Sequence, residues 1–216
     1  ITVRRVLAVA GNGISLPGAL IVGAIGYIFV GIYEELCFRG YQVRNLGEGL
    51  RWRFISPGAA LLLAWVLSSL IFGLLHQGRD NAGPLTTPVM ALVGLVFGLC
   101  YLLTGELALS IGLHITWNFF QGYVFGFHVS GAGHDAALIV INHGGPVAWT
   151  GGAWGPEGGL IGLLALLAGA LAVVAWVRFT RGAVRLQERL AIYQRPAPAS
   201  TNTGRSRLPL VLPRRT

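Results

Sequence analysis

Residues 17–38 read PGALIVGAIGYIFVGIYEELCF and run straight into Arg39. As a helix the stretch would be about 33 Å long at 1.5 Å per residue, against a hydrocarbon core of about 30 Å. Up to Tyr33 it holds no charged residue. Ser15 and Pro17 stand where a helix is capped and started, because the hydroxyl can accept from an early amide and proline needs no donor there. The stretch therefore reads as a membrane-spanning helix, continuing to about Leu46. In hydrocarbon the backbone must satisfy itself within the segment, so the expected fold is all-α, a polytopic transmembrane helical bundle.

Working outward, four more stretches have the same character. They are residues 57–78 behind Ser56, 88–103 behind Thr87 and ended by Thr104 and Gly105, 106–126, and 158–177. About five spanning helices are expected. The whole chain agrees: 54% of its 216 residues are apolar and 11% charged, and the mean hydropathy is +0.65. Soluble domains carry about 25% charged residues, so a water-soluble globule is excluded.

The net charge of +8 is confined to the C-terminal end, where residues 178–216 hold nine Arg against Glu188, while seven Arg and seven acids cancel elsewhere. There is no Lys, and no base-reading or phosphate-cradling motif accompanies the Arg, so no nucleic-acid partner is expected. The positive-inside rule places Arg39, Arg44, Arg51 and Arg53 in the cytoplasm, with the tail. The Arg-free, Gly-rich stretch 127–157 then falls outside, and Arg4 and Arg5 are exceptions to the alternation. Arg178, Arg181, Arg185 and Arg189 lie on one helical face and Phe179, Ala183, Leu186, Leu190 and Tyr193 on another. Residues 178–195 are therefore expected to form an amphipathic interfacial helix on membrane lipids, and 196–216 a disordered basic tail. Residues 1–16 read as an N-terminal segment, the end of a missing upstream region. Cys37 and Cys100 lie in apolar segments and read as packing residues, as do Ser68 and Ser69. Trp149, Trp154 and Trp176 read as interface anchors, and His128, His134, Asp135 and His143 as solvated loop residues.

Ionisable groups inside hydrocarbon cost several kcal/mol unless paired, so each is a functional hypothesis. Glu35 and Arg39 are four apart on a helix and can pair; Glu34 points about 100° away and is left free. Phe72 and His76 share a face of the second span, and His114 and Asn118 a face of the fourth. A base or metal that activates water, with donors for a carbonyl oxygen turning negative, is what peptide hydrolysis needs. The other reading of the same residues is an internal ion pair and two core histidines that hold helices together.

The strings EELCFR at 34–39, FGLLH at 72–76 and HITWN at 114–118 resemble the three motifs EExxxR, FxxxH and HxxxN. These are the motifs of the CPBP intramembrane protease family, also called the Abi or type II CAAX prenyl endopeptidase family, which includes bacteriocin-processing enzymes. The resemblance covers residues 17–177, a transmembrane protease core. It implies an intramembrane endopeptidase in which Glu34 activates water, Glu35 and Arg39 support it, and His76, His114 and Asn118 complete the site. A divalent metal such as zinc, held by Glu34, His76 and His114, and a metal-free glutamate mechanism with His and Asn as oxyanion donors both fit the family. The implied partner is a peptide or lipidated protein, prenylated CaaX-type or leader-peptide, in a bacterial cell membrane. A non-catalytic scaffold or bacteriocin-immunity protein of the same family is the alternative. HExxH and GxGD protease signatures are absent. The family has further helices before its first motif, whereas sixteen residues precede Pro17 here. The depths also need reconciling, since Glu34 lies about 18 Å from Leu46 and His76 about 28 Å from Pro57.

Overall fold

The structure, a computed structural model, describes residues 2–4, 15–134, 136–142 and 144–194. The tail 196–216, most of the segment 1–16, Asp135 and His143 lie outside the described residues. Strand β1 (Thr2–Arg4) is followed by helix α1 (Leu16–Glu35), where the Ser15 hydroxyl accepts from the Gly18 amide and Pro17 opens the first turn. The chain then widens into a π-helical stretch, Leu36–Val43, before α2 (Arg44–Leu50), so that Leu16–Leu50 is one continuous rod of 35 residues. Helix α3 (Pro57–Leu75) is capped by Ser56 and ends in a 3-10 turn, His76–Gly78. Helix α4 (Thr86–Thr104) stops at Gly105, which takes a left-handed φ of 73°. Helix α5 (Leu107–Phe119) passes into a second π-helical turn, Phe120–Val124. Strand β2 (Val140–Asn142), the single turn α6 (Val147–Thr150) and helix α7 (Leu160–Arg181) complete the order.

Among the described residues, four helices are long and apolar enough to cross a membrane: Leu16–Leu50, Pro57–Gly78, Thr86–Thr104 and Leu160–Arg181. The expected span 106–126 is α5, of 13 residues, with its π-helical turn. The first helix runs four residues past the expected end. Counted from Leu50, Glu34 lies about 24 Å deep, and the disagreement with His76 falls to about 4 Å. Strands β1 and β2 pair antiparallel, Val3 opposite Ile141, so residues 2–4 sit at the same end of the bundle as the Gly-rich segment. The Arg4 exception thus belongs to the architecture.

Helix α3 packs along α4 in the most extensive helix contact, and α1 lies against α5. Small residues set these distances. A Cβ on Gly73 would stand 2.3 Å from the Thr87 carbonyl oxygen and 2.9 Å from the Ala91 amide nitrogen, both backbone atoms that cannot swing aside. Gly26 of α1 has nothing within 4 Å. Gly73→Ala should therefore destabilise by about 1–3 kcal/mol, and Gly26→Ala should stay within about 0.5 kcal/mol of the parent. Thermal unfolding of the two variants in detergent checks this, and equal midpoints would remove the close-crossing argument.

The expected interfacial helix 178–195 does not form. Gly182, with a φ of 73°, ends α7 at Arg181, and the chain folds back with a 3-10 turn at Glu188–Ala191 as its next helical piece. The Gln187 amide donates to the Leu102 carbonyl at 2.9 Å. Leu190 and Ala191 are buried in a cluster with Val43, Ala60, Leu61, Ala64, Tyr101 and Leu102. Burial against the bundle overrides the amphipathic pattern. Trp154 is corrected too: it is buried with Phe72, Met90, Val93, Phe97 and Leu166 instead of lying at an interface, whereas Trp149 and Trp176 are exposed.

Candidate active site

The structure brings all six residues singled out in the sequence to one region between α1, α3, α4 and α5. Glu35 is its fixed point. Its carboxylate accepts from Arg39 Nη1 at 3.0 Å, from His114 Nδ1 at 2.8 Å and from the Ser110 hydroxyl. Neither Glu35 nor Arg39 is more than 2% exposed, and Arg39 reaches across to the Gly94 carbonyl through Nη2 at 2.8 Å. The Phe72 ring lies 4.8 Å from the guanidinium carbon. A buried ion pair needs its remaining hydrogen-bond capacity met, and here several donors and acceptors meet it. The pairing follows from the helix: Arg39 lies four residues past Glu35, within the π-helical stretch Leu36–Val43. Ser68 donates to the Phe38 carbonyl at 3.0 Å, which makes it the packing hydroxyl that its composition implied.

Glu34, 5% exposed, faces the other way and accepts from the Tyr33 hydroxyl at 2.9 Å. Its Oε2 stands 3.8 Å from His114 Nε2, too far for a direct hydrogen bond and near enough for a water to join the two. Holding Nδ1 against Glu35 turns the His114 ring so that Nε2 meets Glu34. His76 is held in the same way, its Nδ1 donating to the Phe72 carbonyl at 2.7 Å. Glu34, His76, His114 and Asn118 line one cavity of about 120 Å³ together with Phe72, Phe97 and Trp117. Arg79, Ser130 and Glu157 also line it.

Ser110, Tyr33, Glu157 and the Gly94 carbonyl were missed in the sequence. Ser110 had a signal, because Ser110, His114 and Asn118 follow one another at four-residue steps and so share a helix face. Glu157 had none, since it closes the Gly-rich segment with no partner at helical spacing. Within that segment His128 and His134 are half-buried and bonded, not solvated as expected. His134 Nε2 and the Tyr27 hydroxyl are 2.5 Å apart, and His128 Nδ1 donates to the Ala153 carbonyl at 2.6 Å. Loss of water around Glu157 pushes its carboxyl above the usual carboxylate range, opposed by hydrogen bonds from Gln121 and Ser130.

The expected zinc set is Glu34, His76 and His114. Both histidines are tethered through Nδ1, as metal-bound histidines usually are. Among the described residues, however, no three His, Cys, Asp or Glu side chains are arranged to hold one ion. The donors as placed do not make a metal centre.

Residues 16–120 match the family model described as type II CAAX prenyl endopeptidase Rce1-like, and all six site residues fall inside the match. No curated protein and no solved structure matches the chain.

Proposed function

We propose, from the premise that over residues 16–120 this chain belongs to the Rce1-like type II CAAX prenyl endopeptidase family, that it hydrolyses a peptide bond in a membrane-associated substrate. The observation that carries this reading is the convergence of Glu34, His76, His114 and Asn118 on one cavity inside a helical membrane bundle. A water joining Glu34 Oε2 and His114 Nε2 is polarised from two sides. As its oxygen bonds to the carbonyl carbon, Glu34 takes the proton and the carbonyl oxygen becomes an oxyanion. Glu34 then returns the proton to the leaving nitrogen as the C–N bond breaks. His76 has its Nδ1 proton on Phe72, so its Nε2 can donate to the oxyanion only as the imidazolium. Asn118, whose amide donates at any pH, is therefore the standing oxyanion donor. Glu35 is a positioning residue that acts through His114, and Arg39 holds Glu35.

The substrate class follows the family: a prenylated CaaX-type or leader peptide held at a membrane. Purified protein in liposomes, given a panel of lipidated and unlipidated peptides and read by mass spectrometry, tests the reading. A defined new C-terminus in one peptide supports it, and no cleavage of any membrane-associated peptide would end it. Running the assay with and without a chelator decides whether a metal takes part.

The tail is cytoplasmic in this reading, because residues 178–215 carry the densest positive charge beside a span. A single Cys placed at Ser200 should resist an impermeant thiol reagent in intact cells and react after lysis. Labelling from outside would reverse the topology.

A further inference from the structure

Glu157 is a fully buried acid that the hydrolytic scheme does not use, yet it lines the catalytic cavity. It sits on a 3-10 turn, Pro156–Gly158, just before α7. Oε1 accepts from the Ser130 amide at 2.5 Å and from its hydroxyl at 3.1 Å, and Oε2 accepts from Gln121 Nε2 at 2.9 Å. All three partners are donors, so it is the carboxylate that fits them. Gln121 sends its second amide hydrogen to the His128 carbonyl at 2.7 Å. The segment 127–134 is held at further points: the Gly131 amide donates to the Trp154 carbonyl at 2.9 Å, and Asn81 Nδ2 donates to the Gly131 carbonyl at 2.8 Å. Ser130 keeps a φ of 49°, and a Cβ on Gly131 would stand 1.9 Å from the Asp80 carbonyl oxygen. The segment thus follows a costly path pressed onto its neighbours.

That path brings the segment to the wall of the cavity. Val129, Ser130 and Ala132 form part of the cavity wall with Tyr27, Glu34 and His76. The cavity, about 120 Å³ and partly open, is smaller than the cavity of about 150 Å³ that takes one benzene. It has room for a few waters or a carbonyl group, and a peptide chain with residues on both sides of the scissile bond does not fit. We propose that residues 127–134 are a cap over the catalytic cavity and that Glu157 is the positioning residue that keeps it shut through Ser130 and Gln121. The proposal rests on the endopeptidase reading only in naming the guest that the cap admits.

Glu157→Gln is the decisive change. It keeps the volume, but whichever way the amide turns, its NH₂ meets a donor, so either the Ser130 side or the Gln121 side is lost. Access is read by the rate at which methyl methanethiosulfonate modifies a reporter Cys, in protein lacking Cys37 and Cys100. Val93→Cys places the reporter on the cavity wall, and Val177→Cys places one in the remote contact of α7 with α4. Glu157→Gln should speed modification at position 93 by about tenfold, the effect of losing one hydrogen bond to a charged group, and leave position 177 unchanged. Glu157→Asp should fall between parent and Gln. An unchanged rate at 93, or equal acceleration at both positions, overturns the proposal. Should Glu157→Gln fail to fold, Asn81→Gly removes the separate tether to Gly131 while keeping the backbone at ease, and the same comparison decides. Peptide cleavage by the same parent protein reports separately on the endopeptidase reading, since the labelling result stands whether or not any peptide is cut.

Discussion

Glu34→Gln should lower peptide cleavage by at least about a hundredfold, the contribution expected of a positioned base, and should leave the folded yield close to that of the parent. Gln retains the volume and still accepts from Tyr33, but it cannot take a proton from water. Its NH₂ group, facing the cavity, also removes one of the two acceptors that hold the water. The measurement is cleavage per folded molecule at matched membrane abundance. The scaffold alternative makes the opposite forecast: a neutral amide in place of a buried carboxylate is harmless or stabilising, and the cellular phenotype survives. A phenotype kept in Glu34→Gln, with no cleavage in the parent, would overturn the enzyme. Cleavage lost in the variant, with a parent insensitive to chelator, keeps the enzyme and removes the metal.

The second large effect concerns stability. Arg39→Ala strands a Glu35 carboxylate that is completely buried, and breaking such a pair from one side costs about 3–5 kcal/mol. The double variant Glu35→Ala with Arg39→Ala should lose less, because neither charge is left in the interior without its opposite. His114 and Ser110 soften the blow to Glu35 without cancelling it, as neither supplies a permanent positive charge. Unfolding midpoints of the parent, both single variants and the double variant form a cycle that isolates the pair. A double variant no better than Arg39→Ala would show that the guanidinium matters for its packing on Phe72 and its bond to Gly94, and not for its charge.

The apolar runs made the bundle legible, since length and composition alone mark a helix that must cross hydrocarbon, and Ser15 and Ser56 marked two starts correctly. The pairing of Glu35 with Arg39 and the outward turn of Glu34 were also readable, because helical spacing fixes both. Where tertiary contact decided, the pattern misled. Leu186 and Leu190 look like one face of a lipid-lying helix, but Leu190 is better buried against Val43 and Ala60 than in an interface. The role of Gly131 was equally hidden, for a glycine in a loop and a glycine pressed onto the backbone of Asp80 are the same letter. The tether between Glu157 and Ser130 spans 27 positions, and nothing local announces it.

The π-helical stretch Leu36–Val43 sets a phase. Wide turns hold about one more residue than α-turns do, so the half of the rod that carries Glu34 and the half that carries Gly47 are keyed to different partners. Gly47 lies against Ala191, where an added Cβ would come within 3.3 Å of the Ala191 Cβ. Forcing all eight residues of Leu36–Val43 into ordinary α-turns, with none removed, would turn one half by about 100° against the other, the rotation of one residue. Glu34 and Glu35 on one half and the packing of Gly47 on Ala191 on the other could not then both be kept. The swelling works as an angular offset between two gears on one shaft. The wide turns are therefore as constrained as any side chain in the site, although no side chain expresses them.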